Sequence, residues 1–241
     1  MYHPLIETLL QGGEETIITL SFLLSIPLIM TVINIFRYLI GLRTISIYAT
    51  IATIFLFYSL GSTLTFNNKP DLFLGISYGT LLIFSSYAAI FISYLLTKKI
   101  QLHYYPKISL ILISSTIAIF IVMAIARKLS DQLLVQINPL NVVLLIIISE
   151  QLLKVHIKSG IKKTFQIIIR SILITSICLT IIANESLQNI LLNYPWVIIL
   201  LIPINLFIGK FTGLRLTEYF RFYDLLIDPK NEDDNLSNTE E

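Results

Sequence analysis

Seven stretches of the chain carry no Asp, Glu, Lys or Arg: Thr16–Phe36, Thr44–Asn68, Leu72–Thr97, Ile108–Ala126, Gln132–Ser149, Ser171–Asn184 and Ser186–Gly209. A helix rising about 1.5 Å per residue needs roughly 20 residues to cross a hydrocarbon core about 30 Å thick. Six of the runs have near-enough length alone. Ser171–Asn184 is short, but it lengthens if Thr164–Ile169 joins it and the Arg170 side chain reaches back to the headgroups. The pattern predicts an all-α, polytopic integral membrane protein with seven transmembrane helices over residues 16–209.

The charged positions between the runs set the orientation. With the connections assigned alternately to two sides, fourteen of the seventeen Lys and Arg fall on one side. They are Arg37, Arg43, Lys98, Lys99, Lys107, Lys154, Lys158, Lys162, Lys163, Arg170, Lys210, Arg215, Arg221 and Lys230. The other side holds Lys69, Arg127 and Lys128. Cytoplasmic loops carry the Lys/Arg excess. The N-terminus is therefore expected outside and the C-terminus in the cytoplasm. An even number of spans would scramble the alternation, so the charge count also supports seven.

Composition sharpens this reading. Hydrophobic residues make up 55% of the chain and charged residues 13%, against about 25% charged in a soluble domain. Topology accounts for the basic excess, so nucleic acid is not implied as a partner; the lipid bilayer is. The single cysteine, Cys178, lies inside a span, which leaves no disulfide framework and no cysteine metal site. Residues 1–15 carry Glu7, Glu14 and Glu15 and no basic n-region. They read as a short external N-terminus, with the first span as its own insertion signal. Spans and loops leave no room for a separate soluble domain. Residues 228–241 form an acidic tail with almost no apolar residue, and disorder is expected there.

Two segments look interfacial. In Glu150–Phe165, Leu153, Ile157, Ile161 and Phe165 recur every fourth residue, and Lys154, Lys158 and Lys162 do so on the neighbouring face. An apolar stripe beside a basic one suits a helix lying on an anionic leaflet. Residues 210–227 repeat the idea: Leu216, Phe220 and Tyr223 share a face, and Glu218 stands three residues from both Arg215 and Arg221. Membrane anchoring is the plain use of both segments. Docking of a cytoplasmic partner on Lys154, Lys158, Lys162, Arg215, Glu218 and Arg221 is the sharper one.

Candidate chemistry is sparse. Glu150 closes the fifth run and Arg170 opens the sixth, on the same side; they read as a gating or binding ion pair, or as residues reaching water. Asn34 and Asn205, near the inner ends of the first and last runs, can bridge helices or bind a polar ligand. His3, His103 and His156 lie outside the runs, without metal-ligand spacing, and are expected in solvated loops. There is no carboxylate pair within a span and no Gly-rich phosphate loop, so no catalytic residue, cofactor or metal site is expected.

The C-terminal stretch Leu206–Leu226 resembles the end of a bacterial seven-helix domain usually fused to an inactive transglutaminase-like domain. Gly209, Lys210, Phe211, Thr212, Gly213, Arg215, Leu216, Thr217, Glu218, Arg221 and Phe222 match that family's closing run. Gly41-Leu42-Arg43-Thr44, Pro106-Lys107 and Glu150 resemble further family positions. Gln151 departs from the Arg usual after that Glu, and the transglutaminase-like domain is expected to be absent here. Such a domain would precede the first span on the outer side, which agrees with the charge count. The resemblance implies a multi-pass protein of the bacterial inner (plasma) membrane. Relatives occur beside ATP-grasp ligases and a retropepsin-like periplasmic protease. The expected role is thus a non-enzymatic sensor or scaffold in a peptide-modifying module, with a transporter of a small peptide or amino-acid product as the alternative.

Overall fold

The computed structural model describes residues 14–63, 71–98, 103–128 and 138–210, and all regular structure among them is helical. Helix α1 is Glu14–Ile35, prolonged by a π-helical turn, Phe36–Ile40. Then come α2 (Ile47–Thr63), α3 (Leu72–Lys98), α4 (Tyr104–Lys128), α5 (Pro139–Ile182), α6 (Glu185–Asn193) and α7 (Val197–Gly209). α1, α3, α4 and α5 are long and apolar enough to cross a membrane, and α6–α7 makes a fifth candidate if the bent pair is one span. Of the predicted N-terminal segment 1–15, interfacial helix 210–227 and tail 228–241, all but Glu14, Glu15 and Lys210 lie outside the described residues.

α2 and α3 approach each other closely. Gly75 lets the two backbones meet, because a Cβ there would overlap the Phe57 carbonyl oxygen. The adjacent Gly79 makes a slot for the Phe57 ring, which is fully buried with Leu56, Leu60, Leu82 and Ile90. Small polar residues line the same interior: Thr50, Thr53, Ser86, Ser115 and Ser149 are buried. Thr50, Thr53, Ser115 and Ser149 donate to backbone carbonyls three or four residues earlier, which removes the cost of an unpaired hydroxyl in an apolar medium. The exterior is apolar instead. Phe73 (79%), Phe120 (71%) and Phe207 (78%) are widely exposed, as a lipid-facing surface requires.

α5 departs most from the sequence expectation. The predicted interfacial helix over Glu150–Phe165 does not form as a separate element between two spans. α5 runs through it but breaks at Gly160, whose φ of 74° and ψ of 175° are not helical. Ser149 Oγ lies 2.6 Å from Ser86 Oγ, and the Phe165 ring lies 5.9 Å from that of Phe84. In a straight helix, residues 149 and 165 would stand about 24 Å apart. Here both meet α3 at positions two residues apart, so the chain folds back at Gly160 into two limbs, 139–159 and 161–182. The fourfold periodicity passes through Gly160 without interruption, which is why pattern alone predicts one continuous surface helix.

The last apolar run also divides. The run Ser186–Gly209 is not one straight helix: α6 and α7 meet at 104°. Pro195 at the junction lacks an N–H and restricts the residue before it, so one helix cannot pass through. Asn184 caps α6 by accepting the Ser186 N–H at 3.0 Å.

Candidate functional site

The site grows from the end of α1. There the helix widens into the π turn, and Gly41 closes it in the left-handed conformation (φ 86°). The N–H groups of Gly41 and Leu42 both donate to the Phe36 carbonyl. The chain then reverses. Ile45 N–H donates to Ser171 Oγ at 3.0 Å, tying the turn to the second limb of α5. Ser46 Oγ accepts from Ala49 N–H at 3.1 Å and so starts α2. These bonds hold Arg37, Tyr38 and Arg43 opposite the Gly160 bend.

Between them lies a cavity of about 520 Å³. Arg37, Tyr38, Arg43, Thr44 and Ile45 form one wall; Gln151, Lys154, Val155, Lys158, Ser159 and Ile167 form the other. Four cationic side chains from two sequence-remote elements therefore face one space. Among the described residues, the Glu150 carboxylate pairs with Lys154 at 2.6 Å. Both side chains are nearly half exposed, at 47% for Lys154 and 40% for Glu150. A helical pair of this spacing contributes about 0.2–0.5 kcal/mol, so its effect is more on orientation than on stability.

The other predicted residues fall as follows. Glu150 pairs with Lys154 rather than with Arg170, which is exposed on the second limb. The bend divides the lysine stripe: Lys154 and Lys158 line the cavity, while Lys162 lies exposed beyond Gly160 and outside its wall. Asn34 and Asn205 meet. Asn34 Nδ2 donates to Asn205 Oδ1 at 3.0 Å, and Asn205 Nδ2 donates to Thr31 Oγ1 at 2.7 Å. This polar triad joins α1 to α7 between Pro27 and Pro203. Arg215, Glu218 and Arg221 lie outside the described residues.

His156 corrects the expectation of a solvated loop. It sits in α5, 4% exposed, with Nδ1 3.1 Å from Tyr87 Oη, and the rings of Tyr87, Phe91 and Tyr94 surround it. The signal was available: His156 lies at helical spacing from Ser149, Leu152 and Leu153, all buried. Tyr94 in turn carries Lys107 Nζ at 5.0 Å from its ring centroid. A continuous set of contacts therefore links Lys107 through Tyr94 and His156 to the helix that bears Lys154 and Lys158. Among the described residues, no group of His, Cys, Asp and Glu is arranged to hold a metal.

A family model described as seven transmembrane helices usually fused to an inactive transglutaminase matches residues 13–226. The chain belongs to that family. The match takes in both walls of the basic cavity and the closing run from Gly209. Within the family's helical domain, α7, which ends at Gly209, packs against the π turn. No curated protein and no solved structure matches the chain.

Proposed function

We propose that this multi-pass membrane protein crosses the bilayer seven times and is a non-enzymatic scaffold or sensor. The crossings are α1, α2, α3, α4, the two limbs of α5, and the broken α6–α7 pair. Its N-terminus is outside and its C-terminus cytoplasmic. The observation that carries this reading is the gathering of Arg37, Arg43, Lys154 and Lys158 around one cavity, with Lys107 linked to the same region through Tyr94 and His156. Three connections that the charge alternation assigns to one side thus come together, as the positive-inside rule requires of a cytoplasmic face.

On this reading the basic face, continued by Arg215, Glu218 and Arg221, anchors a cytoplasmic ATP-grasp ligase or relays to a periplasmic protease, in a bacterial inner membrane. Chemical cross-linking in bacterial cells, followed by isolation of the protein and mass spectrometry, tests it. A ligase or protease should be recovered with the natural chain. It should be lost when Arg215 and Arg221 are both changed to Gln, and kept when Arg127 and Lys128 are. Recovery of neither enzyme contradicts the module. Transport of a small peptide product is the second reading, favoured by the prolines of α1 and α7 and the 104° bend beside them. Uptake or efflux of a labelled dipeptide by vesicles containing only this protein would support it.

A further inference from the structure

We infer that the cavity between the π turn and the Gly160 bend is a binding site for a phosphate-bearing anion. Charge selects the ligand's sign. Arg37, Arg43, Lys154 and Lys158 line the space; among the described residues Glu150 pairs with Lys154, and the cations that select an anion are Arg37, Arg43 and Lys158. Arginine's planar fork matches phosphate oxygens two at a time, and lysine adds point charges.

Size and lining narrow the class further. The volume of about 520 Å³ lies in the range of small-molecule sites, about 300–1,000 Å³. An inorganic phosphate ion alone would leave most of it empty. Ile45, Val155 and Ile167 offer apolar wall to the rest of the molecule. The ligand is therefore a phosphate joined to a larger body. Two sources carry that chemistry: the headgroup of an anionic phospholipid, or a soluble phosphorylated molecule. The inference rests on the packing of the cavity alone, and the presence or absence of a ligase partner does not bear on it.

The test uses the purified full chain in a neutral detergent, with thermal unfolding as the readout. Three probes are titrated: dioctanoyl phosphatidic acid, dioctanoyl phosphatidylcholine and inorganic pyrophosphate. Saturable stabilisation by phosphatidic acid alone assigns a lipid headgroup. Saturable stabilisation by pyrophosphate, with or without the lipid, assigns a soluble ligand. In either case Arg43→Gln with Lys158→Gln should raise the half-saturating concentration by at least about tenfold, the loss expected for hydrogen bonds to charged groups. Arg127→Gln with Lys128→Gln removes the same charge elsewhere and should leave it unchanged. Arg43 and Lys158 are exposed, so the variant keeps its packing. If it does not fold, Lys158→Gln alone gives the same reading. No saturable stabilisation by either anion, or an unchanged half-saturation in the Arg43 and Lys158 variants, overturns the inference.

Discussion

Replacing Gly160 with alanine tests the reversal within α5 by the sign of its effect. At φ 74° and ψ 175°, Gly160 occupies a region almost closed to residues with a Cβ, where an ordinary residue costs about 1–3 kcal/mol. A Cβ added there meets nothing within 4 Å, so neither a clash nor a packing gain enters. The lower entropy of unfolded alanine offsets about 0.4–1 kcal/mol of this cost. The net expectation is a loss of about 1–2 kcal/mol, close to tenfold in the unfolding equilibrium. Were α5 one straight helix, the same change would stabilise it by about 1 kcal/mol, because alanine exceeds glycine in helix propensity by that amount. Denaturant unfolding of the purified chain in mixed micelles, followed by circular dichroism, separates the two signs. An alanine variant as stable as the natural chain, or more so, would refute the folded-back arrangement.

Gly75→Val should cost more than the 1–3 kcal/mol typical of overpacking, because the new side chain meets the Phe57 backbone rather than a movable group. Gly209→Ala, in α7 with nothing within 4 Å of its Cβ, serves as the packing control in the same unfolding assay and should leave stability unchanged or raise it by up to about 1 kcal/mol. Asn205→Leu removes the bonds to Asn34 and Thr31 and should destabilise the α1–α7 contact by about 0.6–1.7 kcal/mol. Asn34→Leu added to it should then cost little more, and full additivity of the two would argue against a shared bond.

The helices were legible because an apolar run long enough to cross lipid has few other uses. Leu72–Thr97 falls on α3 nearly residue for residue, and Ile108–Ala126 lies within α4. The breaks were less legible. Pro195 interrupts its run visibly, yet a proline is tolerated inside membrane helices, and Pro27 and Pro203 are both carried within one here. Gly160 gave only a weak signal, since a helix can hold glycine and the stripes of leucine, isoleucine and lysine continued past it. At the site, sequence placed Arg37, Arg43, Lys154 and Lys158 on one side but could not bring them together. That meeting depends on the π turn and on Ser171 reaching Ile45, and both belong to packing. His156 was misplaced because the lysines around it made its surroundings look wet. Its burial follows from the face it occupies, not from its neighbours in sequence.

The seven-span arrangement is tested most directly by the sidedness of three positions around the bend. With Cys178 replaced by serine, single cysteines at Asn138, Lys158 and Asn184 are labelled in intact cells with a membrane-impermeant maleimide, and again after permeabilisation. Two limbs crossing in opposite directions put Asn138 and Asn184 outside and Lys158 in the cytoplasm. The account therefore predicts labelling of Asn138→Cys and Asn184→Cys in intact cells, and of Lys158→Cys only after permeabilisation. Labelling of Asn138→Cys and Asn184→Cys from opposite sides, or of Lys158→Cys in intact cells, would contradict it.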